Sequence, residues 1–220
     1  MSDTPPYLTD RSHLLIAGVT GARTDYGGKT SLANWLAATH GRASTDLALF
    51  VNVKLDDAPE RHADAVATNL QEVAGAMRDG ATFVCLSPTR ADWGAVSRDV
   101  REFVEALPRD LEKMVVLDEA PELDEEALRW FVRVAGNGAA CKTVVLAQAP
   151  GDLDMAVRRQ TLLCWIGPAT EDNRHVFEAN HRGNHFDYIL EEHDPYVWSV
   201  MTGPADQDRD TFEPVPEKYA

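Results

Sequence analysis

Gly18-Val19-Thr20-Gly21-Ala22-Arg23-Thr24-Asp25-Tyr26-Gly27-Gly28-Lys29-Thr30-Ser31 is the stretch on which the fold turns. An apolar run, His13–Val19, leads into it. A segment of helical spacing, Lys29–Thr39, follows it, with Leu32, Trp35 and Leu36 on one face. A strand that enters a Gly-rich loop and opens a helix is the setting of a phosphate cradle. Glycines let backbone N–H groups turn inward around an anion, and the helix N-terminus adds the positive end of its dipole. Gly21, Gly27, Gly28, Lys29, Thr30 and Ser31 are the expected nucleotide-binding residues. Lys29 would reach the β- and γ-phosphates, and the Thr30 hydroxyl would sit on Mg²⁺. The loop is longer than the usual pattern: six residues, not four, separate Gly21 from Gly28, and Arg23 stands where a glycine would be. An insert around Arg23–Tyr26 would bulge outward and leave Gly27–Ser31 as the cradle.

Outward from this loop, strands and helices alternate. Apolar runs at Leu47–Val53, Ala81–Leu86, Lys113–Leu117, Lys142–Ala147 and Leu162–Ile166 read as strands. Glu60–Arg78, Asp92–Leu107, Asp124–Ala135, Leu153–Arg159 and Glu171–Asn180 read as helices between and after them. Ile189–Val200 suggests a terminal hairpin. Nearly continuous apolar strands separated by helices imply a mostly parallel sheet with helices on both faces, and ligands then bind beyond the carboxyl ends of the strands. The domain is expected over 13–202, behind a polar arm at 1–12 and ahead of an acidic, Pro-rich mobile tail at 203–220.

The fourth apolar strand ends in Asp118-Glu119. Asp118 would hold the magnesium shell and Glu119 would polarise the attacking water as general base. Two apolar strands, near 47–53 and 81–86, lie between the loop strand and this one, which suits ATPases with an extra strand between their two phosphate motifs. Gln148 closes the next strand and would sense the γ-phosphate or help orient the attacking water. Charge stabilisation in phosphoryl transfer often needs an arginine from a neighbouring subunit. Arg158 and Arg159 are the favoured candidates, with Arg133 and Arg174 behind them. His181, His185 and His193 read as solvated loop residues, and the Trp130-Phe131-Val134 face reads as core or subunit contact.

Composition bounds the rest. The 220 residues carry a net charge of −15, with 36 acidic against 21 basic residues, and only five of the latter are lysine. Such an acidic, Lys-poor balance reads as adaptation to high salt, where electrostatic attraction to phosphate is screened anyway. Acidity is therefore weak evidence against a nucleic-acid partner. Cys85, Cys141 and Cys164 lie inside apolar runs without CxxC spacing and read as buried reduced thiols. No run approaches the ~20 apolar residues of a membrane span, and no apolar segment follows Met1. A cytoplasmic protein, or one packed in a particle, is the expectation.

The order of these motifs resembles the FtsK–HerA group of P-loop motors. The likeness rests on Ile16–Gly21 leading to Gly28-Lys29-Thr30-Ser31, on Val115–Ala120, and on Val144–Pro150 followed by Asp152-Leu153-Asp154 and Arg158-Arg159-Gln160. It covers about residues 13–168, and the small size and acidic surface look most like the genome-packaging ATPases of archaeal viruses. The resemblance implies a RecA-like P-loop NTPase that binds ATP and Mg²⁺. It further implies a homo-hexamer pumping double-stranded DNA, with a portal or membrane-vertex component as an additional partner. Lys29, Thr30, Asp118, Glu119 and Gln148 would take the roles argued above. The rival readings are a cellular or plasmid DNA-transfer or partition ATPase, a small-molecule kinase, and a nucleotide-binding virion component. The partition ATPases carry an extra lysine before paired glycines, where this sequence has Asp25-Tyr26. The adjacent Asp118-Glu119 pair favours water over a small-molecule acceptor.

Overall fold

The computed structural model describes residues 13–18, 28–89, 92–135, 140–148, 150–166, 198–201 and 209–212. β1 (Leu14–Gly18) leads to α1 (Lys29–Leu36), which continues through a π-helical turn at Ala37–Gly41 and a last turn at Arg42–Ser44. β2 (Leu47–Val51), α2 (Asp57–His62), β3 (Ala65–Ala67), α3 (Leu70–Arg78) and β4 (Phe83–Leu86) follow. Next come α4 (Trp93–Ala106), β5 (Lys113–Leu117), α5 (Glu125–Trp130) with a π-helical turn at Phe131–Ala135, and β6 (Cys141–Ala147). α6 (Met155–Gln160), β7 (Leu162–Ile166), β8 (Trp198–Met201) and β9 (Arg209–Phe212) complete the described elements.

One sheet runs through the molecule in the order β3-β4-β2-β5-β6-β1-β7-β8-β9. Its first seven strands are parallel, and β8 and β9 add an antiparallel edge. Alternation along each strand divides the apolar residues between two cores. Leu14, Ile16, Ala48, Phe50, Met114, Val116, Val144 and Leu146 face α1 through Leu32 and Leu36. Leu15, Ala17, Leu49, Val51, Val115, Leu117, Val145 and Leu163 face the opposite helices, with Val100, Phe131 and Val157 among their partners. Because both faces are covered, the central strands are nearly continuous apolar runs, with Lys113, Lys142 and Thr143 as polar residues at their amino ends. Gly41 lets the end of the first helix lie on the sheet: a Cβ there would come 2.7 Å from that of Ala48.

Two regions depart from the expectation. The single helix expected over Glu60–Arg78 is divided by β3 at the sheet edge. Helix propensity loses to tertiary hydrogen bonds here. The Asp64 carboxylate accepts from the backbone N–H groups of Phe83 (2.8 Å) and Thr82 (3.1 Å) and pairs with Arg42 at 2.7 Å, which ties the segment to β4. Asn69 then caps α3, accepting from the Glu72 N–H at 3.0 Å. Near the other end, Arg209–Phe212 pairs with β8 within the stretch expected as a tail. The expected helix Glu171–Asn180 and the histidines at 181, 185 and 193 lie outside the described residues. The three cysteines are buried and free, and Trp130 and Phe131 belong to the core.

Candidate active site

The carboxyl ends of β2, β5, β6 and β1 form one rim. Val51 lies opposite Leu117, Leu117 opposite Val145, and Ala147 opposite Ala17. Adjacent strands are about 4.8 Å apart, so the residues just beyond these ends are crowded into a short arc. The arc holds Lys54, Asp118, Glu119, Gln148 and the start of α1.

Gly18 closes β1 with φ +142°, a backbone conformation that side chains oppose. Its carbonyl accepts from the Lys29 ammonium at 3.2 Å. Lys29 is buried, and burial lowers its pKa; Lys54 pushes the same way, while Glu119 and Asp118 oppose. Gly28 has an ordinary φ of −111°. Among the described residues a Cβ there would meet nothing within 4 Å. Neither backbone strain nor packing among the described residues therefore requires glycine at 28. The Gly28 N–H donates to Ser31 Oγ at 3.2 Å, so Ser31 caps the helix. Thr30 is half-buried beside Lys29. Gly21 and Gly27, with Arg23 and Tyr26 of the insert, lie outside the described residues.

Asp118 is 1% exposed, and among the described residues its Oδ2 has no hydrogen-bond partner. Burial pushes its pKa up to about 6, against the pull of Lys54. A buried carboxylate oxygen without a donor is costly unless something completes it. The donor set at hand, this carboxylate and the Thr30 hydroxyl, is all oxygen, as magnesium prefers. The residues present fit that ion. Glu119 follows in the left-handed region (φ 45°, ψ 51°), at the entry to a 3₁₀ turn over Ala120–Glu122. This conformation costs a non-glycine residue about 1 kcal/mol or more, and it swings the side chain across the rim. There Gln148 Nε2 donates to Glu119 Oε1 at 3.0 Å. Lys54 forms an ion pair with the same oxygen. Partial burial would raise the Glu119 pKa, but bonds from Lys54 and Gln148 outweigh it and hold the group ionised.

The structure thus brings Lys29, Asp118, Glu119 and Gln148 together. Arg158 and Arg159 stand elsewhere. They occupy the last turn of α6, shortly before Leu162, whose N–H bonds to His13 at the opposite rim. Within one copy they approach the amino ends of the strands. Arg133 is exposed on the π-helical turn after α5, and Arg174 lies outside the described residues. Lys54 is the site residue that sequence reasoning omitted. A signal was there: one of only five lysines stands just past an apolar strand. What was missing was that β2 is the neighbour of β5.

No protein-family model matches the sequence, and no curated protein matches it. Solved structures do. The genome-packaging NTPase B204 of Sulfolobus turreted icosahedral virus 2, in complex with AMP, superposes with a TM-score of 0.68 at 12% identity, over 94% of this chain and 100% of that one. B204 of Sulfolobus turreted icosahedral virus, a DNA-packaging ATPase, gives 0.67 at 10% identity with the same coverage. The cytoplasmic domain of the type VII secretion ATPase EccC from Thermomonospora curvata gives 0.54 at 14% identity, over 92% of this chain and 25% of that one. The fold is that of a RecA-like P-loop NTPase. At these identities the likeness is one of fold. B204 has also been captured with AMPPCP and with ATP-γS.

Proposed function

We propose that this chain is an ATPase that moves double-stranded DNA, acting as a ring of six copies in the packaging of a viral genome. The observation that carries the reading is the convergence of a buried lysine, a buried aspartate whose Oδ2 has no partner among the described residues, and an ionised glutamate on one rim of a P-loop fold. Lys29 would bind the terminal phosphates at the start of α1. Thr30 and Asp118 would hold Mg²⁺, which supplies charge neutralisation at the phosphate oxygens. Glu119 would take a proton from water as the water oxygen bonds to the γ-phosphorus. The bond from that phosphorus to the bridging oxygen breaks, and ADP leaves with the electron pair. Arg158 or Arg159 of an adjacent copy would stabilise the developing charge, in keeping with their distance from the site of their own copy.

The viral setting is supported by likeness to B204 over nearly the whole of both chains. The acidic balance fits a host of high internal salt. The protein would act in the host cytoplasm or at the virion, where a portal or membrane-vertex component would receive it. Among the described residues no helix is long and apolar enough to cross a membrane. The test is ATP hydrolysis at molar KCl with and without duplex DNA. Turnover stimulated by DNA is expected. Phosphate appearing on a small acceptor would make the chain a kinase, and tight binding without turnover would make it a nucleotide switch.

A further inference from the structure

The β2–α2 connection is built more rigidly than a surface loop needs to be. Asn52 is fully buried. Its Oδ1 accepts from the Asp56 N–H at 3.0 Å, and its Nδ2 donates to the Asp56 carbonyl at 3.0 Å. The same amide donates to Ser87 Oγ at 3.1 Å, and Ser87 in turn donates to Glu60 at 2.6 Å. These bonds close a tight turn over 52–56 and fasten it to β4 and α2. Leu55 is held in it at φ 57° and is 52% exposed. A leucine in the left-handed region that buries little persists only where the surroundings impose the conformation. What the turn presents is Lys54, whose ammonium meets Glu119 Oε1.

We infer that Lys54 is a positioning residue for Glu119: with Gln148 it engages Oε1 and so reserves Oε2 for the attacking water. The inference rests on the ATPase reading above. Both donors approach the same carboxylate oxygen. Among the described residues Oε2 accepts no hydrogen bond, and the side chain is 15% exposed, so the carboxylate is not sealed from solvent. Pinning one oxygen from two sides fixes the carboxylate plane, which is what a general base needs to be in line with a phosphate. Asp56 and Asp118 face Lys54 together with Glu119 and keep it charged, while Lys29 stands across the site. Lys54 is thus held by carboxylates, and its role is toward Glu119 rather than toward nucleotide.

The 220-residue chain is tested as wild type, Lys54→Met, Lys54→Arg, Glu119→Gln and the Lys54→Met/Glu119→Gln double variant, with kcat and ATP Kd measured separately. Lys54→Met should lower kcat about ten- to a hundredfold, with ATP Kd within about twofold of wild type. Lys54→Arg should recover most of the loss. The double variant should be no slower than Glu119→Gln alone, because Lys54 acts through Glu119. A Lys54→Met enzyme with wild-type kcat, or with its loss confined to ATP Kd, overturns the inference. So does a double variant that is slower than Glu119→Gln by the full single-variant factor. Failure of the ATPase reading looks different: wild type itself would not turn over, or Glu119→Gln would match it, and the inference would fall with that reading.

Discussion

Both rims of the sheet bury a lysine, and the two are used in opposite ways. Lys113, the first residue of β5, is 1% exposed, and its ammonium donates to the carbonyls of Pro108 (3.0 Å) and Leu111. It plugs the end of a loop with its own hydrogen bonds. Lys29, at the opposite rim, is 7% exposed and among the described residues bonds only to the Gly18 carbonyl. An ammonium has three protons to give. Lys113 gives two of them to backbone carbonyls, whereas Lys29 gives one among the described residues and stands beside an aspartate whose Oδ2 has no partner among them. The titrating groups differ in the same sense. At the amino rim, burial assisted by Lys142 pushes His13 down to about 4, so it stays neutral and accepts from the Thr143 N–H at 3.0 Å. At the carboxyl rim Asp118 is raised to about 6. Burial thus serves closure at one end and leaves an incomplete coordination at the other.

The largest effect expected from breaking this contrast is on turnover. Glu119→Gln should cut ATP hydrolysis by about 10²–10⁴-fold while leaving ATP binding intact, read by phosphate release and equilibrium nucleotide titration. Unchanged hydrolysis would remove Glu119 from its role. The paired lysine substitutions come next. Lys113→Met should cost about 2 kcal/mol in denaturant melts, because charge-assisted bonds to two carbonyls are lost, with no change in ATP Kd. Lys29→Met should do the reverse, weakening ATP binding about ten- to a hundredfold with stability within about 1 kcal/mol of wild type. Equal effects on both readouts would dissolve the distinction between the rims.

The smallest effects are in the pH dependence of stability without nucleotide. A carboxyl raised in the folded state makes the native protein bind more protons between about pH 4 and pH 6, so its contribution to stability falls as pH rises through that window. A histidine lowered to about 4 does the opposite, and its contribution is lost as pH falls from 6.5 toward 4. Asp118→Asn should therefore stabilise the protein above pH 6, by on the order of 1–2 kcal/mol. His13→Asn should flatten the acid-side loss. Thermal midpoints measured across pH 4–8 would check both slopes, and the same sign for both would contradict them.

Much of this is legible in the sequence. The strand at 14–18, the acids after the strand at 113–117 and the glutamine after the strand at 141–147 each follow an apolar run that two-sided burial demands. β3 was not legible, because Ala65-Val66-Ala67 is short and helix-compatible, and only the bonds of Asp64 to β4 decide it. Lys54 was not legible either, because the sequence separates it from Glu119 by 65 positions of which only sheet order makes neighbours.

The sequence by itself determined the fold class, the phosphate-loop motif and the strand that ends in two acids, because apolar periodicity and local backbone chemistry are written in neighbouring residues. Tertiary structure alone decided that β2 lies beside β5. That adjacency brings Lys54 onto Glu119. This is a contact between distant segments, and its energy depends on burial and on which partners remain available, quantities no local stretch of chain contains.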